Sequence, residues 1–187
     1  MEMERVIKAF RSLGMRIEYG GTLMHRWSQV ERCLKSIEGE FLPPNKGCNI
    51  IVAHGSPLTF VGSNTTYIGL DRYIRNRYRN VFVGTVEGIL SREEVLSHAK
   101  ACLPKRVRFI PFMYVAGDHI MNDIMGRKPN EEGIPSWSME MESAGFSVST
   151  VYTKYKGEEF YKGLGFYRGI NEIFIDMLLK SLKRLYN

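Results

Sequence analysis

Three residues carry side chains that ligate transition metals and stand in comparable surroundings: His54 in AHGSP, Glu87 in GTVEG and His119 in VAGDH. Gly55, Gly88 and Gly117 flank them, which allows tight turns and a close approach of backbone to a ligand. Two imidazoles and one carboxylate suit Co2+, Ni2+, Fe2+ or Zn2+ and leave coordination positions open for chemistry. A lone histidine in such a place is ordinarily a loop or capping residue. Three ligand types at equivalent places, with only four histidines in the chain, point instead to one shared divalent-metal site.

Other residues carry weaker signals. Asp118 can cap the helix that follows it or orient a neighbouring imidazole from behind. His25 and His98 read as solvated. Ser56 lacks the GxSxG surroundings of a nucleophile and reads as a turn residue. KGLG at 162–165 is a glycine-rich turn before a helix, hence a candidate anion cradle, but it has neither dinucleotide nor P-loop spacing. No nucleotide cofactor is implied. The run DRYIRNRYRN at 71–80 holds four arginines, and such runs are usually the solvated end of a helix rather than a nucleic-acid surface.

The elements that must position these residues follow from periodicity. Met3, Val6, Phe10 and Leu13 mark a helical stripe, MRIEYGG alternates like a short strand, and Trp27, Val30, Leu34 and Ile37 mark a second helix. LPPNKG at 42–47 is the one credible linker, dividing a helix–strand–helix at 1–41 from a domain at 48–187. Four strand–helix units then succeed one another. Strands are expected at 48–53, 80–86, 107–115 and 146–152, the third one carrying Pro111 as a sign of an edge or a bulge. Helices are expected around 64–77 with Asn64 as a cap, after the Ser91/Glu94 capping box, over Trp137, Met141 and Ala144, and from Ile170 to Leu185. Such alternation predicts an α/β fold, a parallel sheet with right-handed crossovers and helices on both faces. Ligands bind beyond the carboxyl ends of such strands, which is where His54, Glu87 and His119 fall.

Bulk composition bounds the rest. The chain has 187 residues, 44% hydrophobic and 25% charged, with a net charge of +6 and a pI near 9.2. The basic excess suits an anionic partner. Nothing approaches the roughly 20 apolar residues of a membrane span. Cys33, Cys48 and Cys102 are odd in number and widely spaced, so three free core thiols and a reducing cytoplasm are expected.

NVFVGTVEG, PFMYVAGDHIMND, SWSMEMESAGFSV and YKGLG, in that order, resemble the carboxy-terminal half of the anaerobic sirohydrochlorin cobaltochelatases. These are class II chelatases of the ferrochelatase-like superfamily. The resemblance runs from about Ile50 to the end and more loosely back to the start. It implies ATP-independent insertion of Co2+, or of Ni2+ or Fe2+, into sirohydrochlorin or precorrin-2 on the route to cobalamin. It implies that His54 is metal ligand and proton acceptor, Glu87 acidic ligand and proton relay, and His119 the second histidine ligand. Gly55, Ser56, Gly88, Gly163 and Gly165 are expected to line the substrate site, with Asp118 behind the ligands. The family has a further amino-terminal βαβαβ portion, so residues 1–41 correspond to the remnant of that domain. A homo-oligomer, or a chain supplying the missing half-domain, is the expected partner, with no nucleic acid and no membrane. Phe166 stands where an acidic residue is expected after the Gly-Leu-Gly turn.

Overall fold

In the computed structural model the described residues are 2–58 and 62–186, with the side chains of residues 2 and 3, and so the expected contribution of Met3, outside the description. Four strands form the main sheet: β1 (Cys48–Gly55), β2 (Val81–Glu87), β3 (Arg106–Pro111) and β4 (Ser147–Thr150). All pair in parallel in the order β2-β1-β3-β4. The crossovers are α3 (Gly62–Arg75), α4 (Arg92–Lys100), and a π-helical turn (His119–Ile124) followed by α5 (Trp137–Ser143).

Burial follows the alternation of a strand. Ile51 and Ala53 of β1 face a core shared with Val81, Val83, Ile110 and the helix α3. Ile50 and Val52 face the opposite core with Phe109, Leu96 of α4, Trp137 of α5 and Ile120 of the π turn. The helix α2 (Trp27–Ile37) adds Val30, Cys33, Leu34 and Ile37 to the first core, as does α6 (Arg168–Tyr186) through Ile170 and Ile173. The 42–47 segment is not a free connector. Its Pro44–Lys46 turn is held to the sheet through Asn49, which is fully buried. Leu42 N–H donates to Asn49 Oδ1 at 2.7 Å, and Asn49 Nδ2 donates back to Leu42 O at 3.0 Å.

Several expectations are corrected. MRIEYGG makes no strand, because its carbonyls are taken by side chains instead of by a neighbouring strand: Arg11 donates to Ile17 O and Arg184 to Tyr19 O. The stripe of α1 (Glu2–Ser12) does not face inward, since Val6, Phe10 and Leu13 are exposed and Ile7 is buried. β3 stops at Pro111, yet lies inside the sheet rather than at an edge. The missing proline N–H faces the side of β4, whose pairing with β3 ends at Phe109 and Thr150, so no ladder bond is lost. Phe112 N–H still reaches Val52 O on the β1 side at 2.7 Å.

The expected fourth strand breaks after Thr150 into an antiparallel hairpin, β5 (Tyr152–Tyr155) and β6 (Glu158–Tyr161), outside the main sheet. Cys48 and Cys102 are joined in a disulfide, not free, because the crossover returns the end of α4 to the start of β1 with the Cα atoms 6.2 Å apart. Cys33 alone is free among the described residues, and its burial pushes the thiol up to about 12. No described helix is long and apolar enough to cross a membrane.

Replacing Asn49 by Ala strands the buried Leu42 N–H that it satisfies. We expect Asn49→Ala to lower the unfolding free energy by about 2–3 kcal/mol, read from urea denaturation; a loss below about 0.5 kcal/mol would mean that water takes over the clamp.

Candidate metal centre

The carboxyl ends of β1 and β2 meet at Gly55, which pairs with Glu87. Gly55 has φ +79°, and a Cβ there would run into the Glu87 carbonyl and the Thr85 side chain. Only glycine lets the two strands end this close. Gly88 is similarly pressed, its would-be Cβ 2.8 Å from Thr85 Oγ1 and 3.2 Å from the Gly55 Cα. These two glycines pack strand ends together.

His54 precedes Gly55 and is exposed beyond the core; His119 opens the π turn that follows β3. The two rings meet edge to face, with centroids 4.7 Å apart and planes at 82°. Their Nε2 atoms are 3.1 Å apart. Each Nδ1 faces an oxygen that can only accept. His54 Nδ1 lies 3.1 Å from the Gly55 carbonyl, and His119 Nδ1 lies 2.6 Å from Asp123 Oδ2. Both rings therefore carry N–H at Nδ1, and both Nε2 lone pairs point into the same gap. Two lone pairs at this distance repel, a repulsion that a proton or metal ion between them would relieve. An ion about 2.1 Å from each nitrogen would subtend an N–metal–N angle of about 95°, close to adjacent positions of an octahedron.

Glu87 does not join them. It pairs in register with Gly55 rather than with His54. It lines a separate surface depression with Ser56, Asn64, Ile68 and Ile89. Among the described residues no three His, Cys, Asp or Glu side chains converge on one point. Asp118 does not touch His119 either; its Oδ1 accepts from Asn122 Nδ2 at 2.6 Å. The residue behind the imidazole is Asp123, missed in the sequence although His119 and Asp123 stand four apart on one helical turn.

The remaining expected contacts support the loops. Ser56 is tied into its turn by Asn64, which sits inside α3 rather than at its cap: Ser56 N–H donates to Asn64 Oδ1 at 3.2 Å, and Asn64 Nδ2 to Ser56 O at 2.8 Å. Gly163 and Gly165 lie under the 113–116 loop. Leu164 N–H donates to Met113 O at 2.8 Å and Gly165 N–H to Tyr114 O at 3.0 Å. A Cβ on Gly163 would sit 2.7 Å from the Ala116 nitrogen. The turn spends these N–H groups on the loop leading to His119, so they are not free to cradle an anion. His98 is half-buried against Phe82, with ring centroids 6.1 Å apart, rather than solvated. In the arginine-rich run, Arg75 pairs with Asp71 at 2.7 Å and Arg77 lies over the Tyr73 ring.

Two cavities flank the 118–123 segment. One of about 360 Å3 is largely apolar and bordered by His54, His119, Tyr67, Phe112, Tyr114 and Leu164. The other, of about 830 Å3, is mixed in character, and its border includes Asp118, Asn122, Asp123, Arg92, Arg127 and Lys128. The loops at the sheet's carboxyl edge also raise Leu58, Ile89, Val115 and Met121 into solvent.

A family model described as cobalt chelatase (CbiK) matches residues 2–183. The chain belongs to the cobalt chelatase (CbiK) family. In fold it is similar to the solved structure of SirB from Bacillus subtilis with Fe3+, with a TM-score of 0.61 over 96% of this chain at 15% identity. This chain spans 63% of the length of that SirB chain. The α/β fold expected from the strand–helix alternation is thus the observed one, and its chelatase-like form and the family are those that the resemblance implied.

The geometry separates the three expected ligands. In a Co2+ titration followed by ligand-field absorption, we expect His119→Ala to weaken binding at least about tenfold, the loss of one of two nitrogen ligands. We expect Glu87→Gln to change it less than about threefold in the isolated chain. Equal losses for the two variants would return Glu87 to the pair.

Proposed function

We propose that this chain inserts a divalent metal ion, Co2+ foremost, into a sirohydrochlorin-type tetrapyrrole without ATP. The observation that carries the reading is the pair of imidazole Nε2 atoms converging at 3.1 Å beside an apolar cavity at the sheet's carboxyl edge. Family membership supports it. The metal and the tetrapyrrole are both substrates here.

Insertion exchanges one metal ion for two pyrrole N–H protons. Two neutral imidazoles suit both halves of that exchange, because the lone pair that releases the metal is then free to take a proton. His54 is the more exposed of the two and is assigned as the first base. Two nitrogen ligands in adjacent positions hold an ion while leaving most of its coordination sphere for the incoming macrocycle. Nitrogen ligation suits Co2+, Ni2+ and Fe2+ alike, and the ordering among them rests on the family. Glu87, in its own depression beside the strand ends, is assigned to relay protons rather than to bind metal in the unliganded chain. The exposed Leu58, Ile89, Val115 and Met121 provide an apolar collar for a flat ring, and the net charge of +6 favours approach of its carboxylates. A second wall of the cleft, from another copy or another chain, completes the enclosure in this reading.

A second reading is favoured by the fact that only two ligands converge: a carrier that holds metal or tetrapyrrole without joining them. Anaerobic mixing of the chain with Co2+ and sirohydrochlorin separates the two. A chelatase shows metallation, read from the absorption spectrum, faster than the spontaneous rate. His54→Ala then slows it by about 10²-fold, the usual worth of a positioned base. A spectral shift on binding with only the spontaneous rate of metallation identifies the carrier.

A further inference from the structure

The hydrogen-bond separation of the two Nε2 atoms exposes the pair to a competing arrangement. If His119 carried its N–H at Nε2, that group would lie 3.1 Å from the His54 Nε2 lone pair and donate to it. The two rings would then satisfy each other, and the gap would be closed to metal. His54 cannot prevent this. Its Nδ1 partner is the Gly55 carbonyl, an acceptor, so His54 Nε2 remains an acceptor ready for that bond.

We propose that Asp123 is the positioning residue that keeps the histidine pair open. Its carboxylate accepts from His119 Nδ1 at 2.6 Å, and while it does so the second N–H cannot move to Nε2. This inference rests on the reading of His54 and His119 as the pair that receives the metal. No neighbouring group substitutes for Asp123. Asp118, the other carboxylate on this segment, is occupied by Asn122 at 2.6 Å. The π-helical turn sets both links side by side: Asp118 to Asn122 and His119 to Asp123, each four residues apart, over a turn whose Met125 N–H reaches back five residues to Ile120 O at 2.9 Å. Such widened turns occur most often where a helix presents functional groups. Asp123 also borders the larger cavity and is partly exposed there, while its Oδ2 holds the ring.

The assignment has a readout that needs neither tetrapyrrole nor turnover. Long-range 1H–15N NMR on the metal-free protein, at a pH of about 8.5 where imidazole is neutral, distinguishes the two tautomers of each ring. In the unmodified protein both His54 and His119 are expected as Nδ1–H. In Asp123→Ala and Asp123→Asn, His119 is expected to turn to Nε2–H, and Co2+ affinity to fall by about 10–100-fold. Asp123→Glu, which restores the acceptor, is expected to retain Nδ1–H and to bind Co2+ within about threefold of the unmodified protein. His119 found as Nε2–H in the unmodified protein overturns the proposal, whether or not any variant folds. So does an Asp123→Ala protein that keeps Nδ1–H and unchanged Co2+ affinity. Absence of metallation in the tetrapyrrole assay, with these tautomers and affinities as expected, removes the chelatase reading and leaves the role of Asp123 standing.

Discussion

Strand β1 is bonded to a parallel neighbour on each side, and Ile50, Ile51, Val52 and Ala53 are completely buried between two cores. A strand held in that way cannot slide by one residue without turning every apolar side chain onto the wrong face. That constraint fixes the place where His54 leaves the sheet. It also fixes Gly55 against Glu87, and hence the closeness of the first two loops. His119 has no strand to direct it. Its position comes from a loop that rests on the Gly163–Gly165 turn and then winds into the π-helical turn. One histidine is thus set by a sheet and the other by a loop clamped from below.

The sheet that places His54 also sets Glu87 apart from the histidine pair. Equivalent positions at the ends of neighbouring strands look alike in a sequence, but the pairing register decides which residues stand side by side. The register of β1 on β2 pairs Glu87 with Gly55 instead of with His54. The result is a pair of facing imidazole nitrogens with an acidic group in a separate depression.

Much of the framework was legible from periodicity alone. The continuous apolar run at 48–53 and the 81–87 strand could only be buried parallel strands, and the Ser91–Glu94 cap does open α4, with Glu94 N–H on Ser91 Oγ at 3.3 Å. The failures have identifiable physics. MRIEYGG has the pattern of a strand but no free ladder to join, and arginine side chains take its carbonyls. The break after Thr150 depends on the chain returning through Lys162 N–H to Val151 O, a contact eleven residues away that no local pattern announces. Cys48 and Cys102 meet through a crossover, which spacing in sequence cannot reveal. At the site, the two histidines were legible as ligand types, whereas Asp123, four residues from His119 at ordinary helical spacing, was passed over for the adjacent Asp118.

The turn beneath the 113–116 loop is made of main-chain bonds, from Leu164 and Gly165 to Met113 and Tyr114. Such bonds are blind to the identity of most side chains. Packing nevertheless restricts this turn at Gly163, where an added carbon meets the Ala116 nitrogen, at Gly165, where it crowds Tyr114, and at the buried Leu164. Phe166 stands just past that restriction and is half in solvent. Its departure from the expected acidic residue is a change the main-chain support leaves open, so the chemistry of the rim can differ there while the loop leading to His119 keeps its bonds.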